Sequence, residues 1–246
     1  MPFTLAHPAA AFPIWKASRR RLRLAALVLG STAPDFDRVF QRHPFIRFGH
    51  SLAGLFLFCV PIGLLCLWLF DRWGRRGVEL LLPREWNLGD APPRAESLLA
   101  PSVAVLVGAA SHIAWDGLTH PSGWAVRLFP QLASSVQIGP RVFAWYSVLQ
   151  HASTIVGLVV VTIVCWRWSR SQPRARPTHL IFRIFFIGAV LAVAAVLAGL
   201  PFLSRGYEPF LIAGGVAVCV TLGVGLVLLG AIGTRQARTA GLDAER

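Results

Sequence analysis

The chain has 246 residues, of which 55% are hydrophobic and only 14% are charged, with a mean hydropathy of +0.59 and a formal charge of +13. A soluble domain carries about 25% charged residues, so this composition excludes an ordinary soluble protein and indicates a membrane protein. The positive charge does not indicate a nucleic-acid partner, because the sequence contains no nucleic-acid motif and its arginines flank apolar segments.

The first 33 residues combine a basic stretch with a short apolar run. Lys16 and the arginines between 19 and 23 lead into Leu22–Ala33, a run too short to cross about 30 Å of hydrocarbon. We predict an interfacial or re-entrant pair of helices over residues 8–33. The alternative is a twin-arginine export signal that begins at Ser18 and is cleaved after Ala33, which would remove His7.

Five later stretches have the length of membrane spans, since a spanning helix needs about 20 apolar residues. We therefore predict an all-α, polytopic helical bundle in the lipid bilayer. Within it, residues 1–170 form a metal-site membrane domain, residues 171–234 two scaffold helices and residues 235–246 a basic cytoplasmic tail. The five predicted spans are 51–70, 98–117, 145–166, 180–201 and 209–233.

Arginine placement predicts the sidedness of the bundle. Arginines concentrate in 71–96, 167–176 and 235–246, whereas 118–144 and 202–208 carry few. The positive-inside rule then places the rich segments in the cytoplasm and the opposite face outside. If residues 1–50 also lie outside, their basic residues nearly cancel this bias, but the relative depth of the spans is unchanged.

Histidine is scarce in this chain, and most of the histidines fall near span ends together with aspartate. His50 precedes the first span, His112 and Asp116 lie four residues apart near the end of the second, and His151 lies near the start of the third. At about 1.5 Å per residue, alternation of the spans brings these residues to one membrane face. Ionisable residues inside spans are rare and usually functional, so we predict a clustered site at the outer, periplasmic face.

Imidazole nitrogens and carboxylate oxygens are the ligands of Zn, Mn or Fe sites. We predict a site for a divalent ion, with Zn favoured, that activates water to attack an ester or phosphoester of a lipid-like substrate. Asp35 and Asp37 are the candidate catalytic bases. Ser111, Thr119, Ser122 and Gln150 are candidates for hydrogen bonds that orient the ligands. The predicted ligands are His7, Asp35, Asp37, His50, His112, Asp116, His120 and His151.

Two other classes of protein fit the same residues. A non-catalytic protein can use the metal only to lock its bundle, and an ion or proton transporter also places Asp and His within the membrane. A transporter should carry polar residues through the full thickness of several helices. The last two predicted spans contain almost none.

Several motifs resemble a bacterial membrane family catalogued as DUF4184, which has no established activity. The resemblance covers about residues 1–170 and rests on Met-Pro-Phe-Thr-Leu-Ala-His at the start, Gly30-Ser-Thr-Ala-Pro-Asp-Phe-Asp, Gly49-His-Ser, Gly108-Ala-Ala-Ser-His-Ile-Ala-Trp-Asp-Gly-Leu-Thr-His and Leu149-Gln-His. The chain is similar in turn to inner-membrane metal-dependent hydrolases, which implies a bacterial inner-membrane location.

A more distant resemblance is to zinc-dependent phospholipase C, an all-helical enzyme whose ligands occur in the order His, Asp, His, HxxxD, His, HxxxE. It implies one metal held by a Pro-Asp-Phe-Asp carboxylate, His50, His112 and Asp116. His120 and His151 would begin a second site, and His7 would join Asp116 at a third. Ile155 stands where that pattern has Glu, so one or two ions are expected.

Overall fold

The computed structural model describes residues 4–37, 48–83, 85–86, 88, 97–173, 177–200 and 207–239, with the backbone alone for 177–186, 207–212 and 237–239. It is predominantly helical. In chain order the elements are α1 (Pro8–Ala17), α2 (Leu24–Thr32), α3 (Leu52–Leu81), α4 (Leu99–Thr119), α5 (Trp124–Leu128), β1 (Ser135–Ile138), β2 (Arg141–Ala144), α6 (Trp145–Arg170), α7 (Pro177–Gly199) and α8 (Tyr207–Thr239).

Among the residues that the structure describes, four helices are long and apolar enough to cross a membrane: α3, α4, α6 and the Ala213–Gln236 part of α8. The prediction of an all-α membrane bundle is therefore confirmed. The predicted span 180–201 coincides with α7, whose apolar portion with described side chains is the shorter stretch Ile187–Gly199.

Helix α3 extends beyond the first predicted span, 51–70. It continues to Leu81 and contains π-helical turns at Leu55–Cys59 and Phe70–Gly74. Charged residues maintain the extension, because Glu79 lies 3.5 Å from Arg75 and 3.3 Å from Arg76 at helical i+4 and i+3 spacing.

The chain divides into two compact units, 1–64 with 97–165 and 65–96 with 166–246. Every residue of the histidine and aspartate motifs belongs to the first unit. In the second unit the end of α3 packs closely on α8, since a Cβ at Gly77 would overlap the Leu226 carbonyl oxygen. Segment 65–96 therefore groups with the C-terminal helices rather than with the rest of 1–170.

The N-terminal helix pair is present as α1 and α2. Ala26 and Leu27 are fully buried, and α2 packs against α4. Glycines bring the two backbones together: a Cβ at Gly30 would overlap the Val105 carbonyl oxygen, and one at Gly108 would overlap that of Leu27. This contact of small residues, common between membrane helices, sets the position of the turn that follows α2.

We expect Gly108→Ala to destabilise the first unit by about 1–3 kcal/mol, the cost of forcing extra volume into a packed interior. The measurement is thermal unfolding in detergent, followed by circular dichroism. Gly188→Ala is the matched control, because a Cβ there meets no atom within 4 Å among the described residues. The control should leave stability unchanged or raise it, since glycine is a poor helix former. Equal unfolding temperatures for both variants would contradict the packing account.

Segment 118–144 contains more structure than the sequence analysis anticipated. After α5, strands β1 and β2 pair antiparallel with Val136 opposite Phe143 and Ile138 opposite Arg141. Gly139 has φ +59 and is followed by Pro140. A glycine with positive φ at this position is typical of tight hairpin turns, so Gly139-Pro140 between alternating apolar residues was the available signal.

Candidate metal centre

Four separate stretches of the first unit bring polar side chains to one buried place. His7 immediately precedes α1, Asp35 and Asp37 lie in and just after the turn Ala33–Phe36, and His50 ends the turn Phe48–His50. The last turns of α4 add His112 and Asp116. Asp35 is 0% exposed and His112 is 1% exposed, so these groups have been removed almost completely from water.

The centre of this cluster is a ring of four atoms. Nε2 of His112 lies 3.4 Å from Oδ2 of Asp116 and 3.7 Å from Oδ1 of Asp35. Nε2 of His50 lies 3.5 Å from the same Asp116 oxygen and 3.7 Å from the same Asp35 oxygen. Two imidazoles and two carboxylates therefore alternate around a common point.

These residues could hold a metal ion, because the ligand atoms of His50, His112 and Asp116 all lie within 4.8 Å of one another. Ligand atoms about 2.0–2.1 Å from a tetrahedral zinc lie roughly 3.3–3.4 Å apart, so the edges of the ring are equal to or slightly longer than those of a zinc site. Within the described part of the chain, Nε2 of His50 and Nε2 of His112 accept and donate no hydrogen bond. Buried polar atoms are normally paired, so atoms left converging in this way fit a bound cation.

Hydrogen bonds to backbone carbonyls set the tautomer of two of the rings. Nδ1 of His112 lies 2.7 Å from the Ser31 carbonyl oxygen, and Nδ1 of His120 lies 3.0 Å from the Asp116 carbonyl oxygen. A carbonyl only accepts, so each Nδ1 carries the proton and each Nε2 keeps its lone pair. Metal-binding histidines are typically oriented by such a partner.

His7 completes the cluster on the other side of His112. The two imidazoles stack with centroids 3.7 Å apart, and Nε2 of His7 lies 3.7 Å from Oδ1 of Asp116. Ligand atoms of His7, Asp35 and His112 all lie within 4.8 Å of one another. Burial lowers the pKa of His7 well below its usual range, and neighbouring His112 acts in the same direction, so the neutral ring can offer a lone pair.

Asp37 contacts only one edge of this arrangement. Its Oδ2 accepts a hydrogen bond of 3.2 Å from the Gly49 backbone and lies 3.6 Å from Nδ1 of His50. Burial opposes protonation of His50, but the carboxylates of Asp116, Asp37 and Asp35 outweigh it and raise the pKa of His50 to about 9. The carboxylates therefore favour positive charge at this point.

Thr4 is a site residue that the sequence analysis missed. Its hydroxyl donates a 2.7 Å hydrogen bond to Oδ2 of Asp35 and leaves Oδ1 directed at the two histidines. The motif Met-Pro-Phe-Thr-Leu-Ala-His contained the signal, because Thr4 lies one helical turn before His7.

We expect Thr4→Val to weaken metal binding about 10- to 100-fold, the usual cost of losing a group that orients a ligand. The fold should persist, because valine has nearly the same shape. A metal titration of the purified protein measures the effect, and Thr4→Ser should restore it. Thr32→Val is the control, since the Thr32 hydroxyl bonds the Leu29 carbonyl oxygen of its own helix. Unchanged affinity in Thr4→Val would refute this role.

The structure does not bring every predicted site residue into the cluster. His151 has an exposed side chain on α6, while neighbouring Gln150 is buried. The Ser111 and Thr119 hydroxyls bond the Gly108 and Trp115 carbonyl oxygens of their own helix. Ser122 is exposed. Two groups that do contact the ligands are the Ser31 carbonyl and the Thr4 hydroxyl.

Fold and site together define an all-helical membrane protein with a buried cluster of histidine and aspartate. Residues 1–233 match the family described as a domain of unknown function, DUF4184, and the chain belongs to this family. The match extends past the motifs in 1–170 and includes α7 and most of α8. Comparisons with curated proteins and with solved structures find no match.

Proposed function

We propose that this protein is a metal-dependent hydrolase of an ester or phosphoester, with its site at one face of the membrane. The observation that carries the proposal is the ring of Asp35, His50, His112 and Asp116 atoms spaced 3.4–3.7 Å apart. Nitrogen and oxygen ligands in this number favour Zn, with Mn and Fe as alternatives.

The division of roles follows from the contacts. Asp35, His50, His112 and Asp116 hold the first ion. His7 faces the other oxygen of Asp116 and is the candidate for a second ion. Nδ1 of His120 donates to the Asp116 carbonyl oxygen, so His120 could join that ion only through its Nε2. The proposal needs the mature protein to keep residues 1–33, because the export-signal alternative would remove His7.

A divalent ion held here supplies Lewis-acid chemistry and lowers the pKa of water to about 7. Residues of the chain supply the general base, the orientation of a ligand and the exclusion of bulk water. Asp37 is assigned as the general base, because its Oδ1 makes no hydrogen bond among the described residues and it lies outside both groups of converging ligand atoms. The Ser31 carbonyl holds the tautomer of His112, and burial excludes bulk water from the ring.

The location of the cluster favours a lipid-like or otherwise amphipathic substrate. His50 lies just before α3, and His112 and Asp116 lie in the last turns of α4, so the ligands share the level at which both spans meet the headgroups. By the positive-inside argument this is the outer face of the bacterial inner membrane.

The test is hydrolysis by purified, detergent-solubilised protein loaded with Zn²⁺ or Mn²⁺. The probes are bis(p-nitrophenyl) phosphate, a p-nitrophenyl ester and phosphatidylcholine in mixed micelles. We expect turnover of at least one probe that is lost on chelation and restored by metal. Metal-loaded protein that turns over none of them would contradict the hydrolase assignment.

A structural metal site is the second candidate, because the cluster joins four stretches from residue 7 to residue 116 that are distant in the chain. A metal at such a junction contributes its binding free energy to folding. In that case chelation should unfold the first unit rather than only stop turnover, and circular dichroism of the stripped protein distinguishes the two.

A further inference from the structure

The segment that connects α4 to α6 presents an unusual apolar surface beside the cluster. Leu128 is 67% exposed and Val142 is 68% exposed, and Trp124, Phe129 and Ile138 are also exposed. These five residues are called the connector surface below. Ile138 pairs with Arg141 and Val142 with Gln137, so Ile138 and Val142 lie on opposite faces of the hairpin and each face exposes an apolar side chain. Soluble surfaces rarely expose apolar side chains in such a group, and those that do usually mark an interaction site.

The two ends of the connector fix its level relative to the membrane. Helix α4 ends at Thr119 and α6 begins at Trp145, and both helices have the length and composition of spans. The connector therefore leaves and re-enters the membrane at the same face.

The composition of the connector also suits a lipid interface. Between 120 and 144 its charged residues are Arg127 and Arg141, with no acidic residue. In α5, Ala125 and Val126 are buried while Leu128 is exposed, so one apolar side faces the protein and another faces outward. An isolated two-stranded hairpin is marginal in water, whereas basic and apolar residues together favour the boundary between headgroups and acyl chains.

The connector surface begins beside the metal ligands. The Trp124 indole packs so closely on α4 that a Cβ at Gly117, the residue after Asp116, would overlap its Nε1. The Gly123 backbone donates a 2.9 Å hydrogen bond to the carbonyl oxygen of His120. The Trp124 end of this surface is thus adjacent to the end of α4 that carries the cluster.

We propose that the connector surface lies in the acyl-chain boundary of the surrounding bilayer and that a lipid substrate reaches the cluster across it. The placement of the surface rests on the spans and on exposure. The role in substrate entry rests on the proposed function, so the two are tested separately.

The first test places spin labels at Leu128→Cys and Val142→Cys in full-length protein carrying Cys165→Ala and reconstituted in phosphatidylcholine and phosphatidylglycerol vesicles. Val159→Cys is the lipid standard, because Val159 is half exposed in the middle of the span α6. The free label in buffer is the water standard. The unsubstituted Cys165→Ala protein supplies the background labelling of Cys59, Cys66 and Cys219.

We expect both connector labels to collide with oxygen several-fold more than with a water-soluble nickel complex, as the lipid standard should. Labels that behave like the free label would show a water-facing surface and overturn the proposal. Labels shielded from both reagents would show contact with a second copy or another protein, which also overturns it.

The second test compares turnover of phosphatidylcholine in vesicles with that of soluble bis(p-nitrophenyl) phosphate. Val142→Asp should lower the first several-fold and leave the second unchanged, and Val142→Leu should lower neither. Equal loss on both substrates, or loss on neither, would overturn the entry role. Absence of turnover in every protein would refute the proposed hydrolase function. It would not affect the spin-label test of where the connector surface lies.

Discussion

Asp116→Asn should abolish stoichiometric metal binding and turnover while the protein keeps its helical fold. The Asp116 carboxylate lies 3.4–3.8 Å from imidazole nitrogens of His7, His50, His112 and His120, so it is the residue common to all parts of the cluster. Asparagine has the same shape but removes the negative charge and one ligand atom. The affinity should fall by more than the roughly 10- to 100-fold that loss of an outer partner costs.

Metal content, turnover and circular dichroism of the same preparation distinguish the outcomes. Asp71→Asn in α3 is the matched control, because it removes the same charge from the second unit, and it should keep both metal and turnover. If Asp116→Asn retains metal and activity, the cluster is not the site. Loss of the fold itself would favour the structural-metal alternative.

Asp37→Asn should lower kcat by about 10²–10⁴, the contribution typical of a general base, with little change in bound metal. Asp37 is outside the four-atom ring and touches only the Gly49 backbone and Nδ1 of His50 among the site contacts described above. Asp35, in the same motif, differs from Asp37 because its carboxylate lies 3.7 Å from both ring histidines. Asp35→Asn should therefore lose metal and turnover together.

Titration of metal into Asp37→Asn alongside single-turnover kinetics tests this division. A 10- to 100-fold loss of affinity in Asp37→Asn, with turnover restored by excess metal, would mean that Asp37 orients His50 and is not the base. Asp37→Glu keeps a carboxylate and should recover part of the activity.

Spacing along the chain was sufficient to predict that three of these residues lie close together. His112 and Asp116 had to share a helix face, and alternation of spans had to bring His50 beside them; the structure places all three together. Spacing could not separate the roles of Asp35 and Asp37, because the path of the backbone through the turn Ala33–Phe36 decides which carboxylate faces the histidines.

Other features depended on contacts that sequence patterns do not encode. The Ser31 carbonyl that orients His112 is a backbone group, and its position follows from the close packing of Gly30 and Gly108 between α2 and α4. His151 is a residue that the sequence pattern predicted as a ligand but whose side chain is exposed. Its position near the start of α6 satisfied the depth argument, but the helix rotation leaves its side chain exposed, and depth alone carries no information about rotation.

The most direct measurement of the central claim is elemental analysis of purified, detergent-solubilised protein that has never met a chelator. We predict one or two equivalents of Zn, Mn or Fe in the unmodified protein, the same amount in His151→Ala and almost none in His112→Ala. Protein that is folded yet contains no stoichiometric metal, or His112→Ala that retains it, would contradict the metal centre.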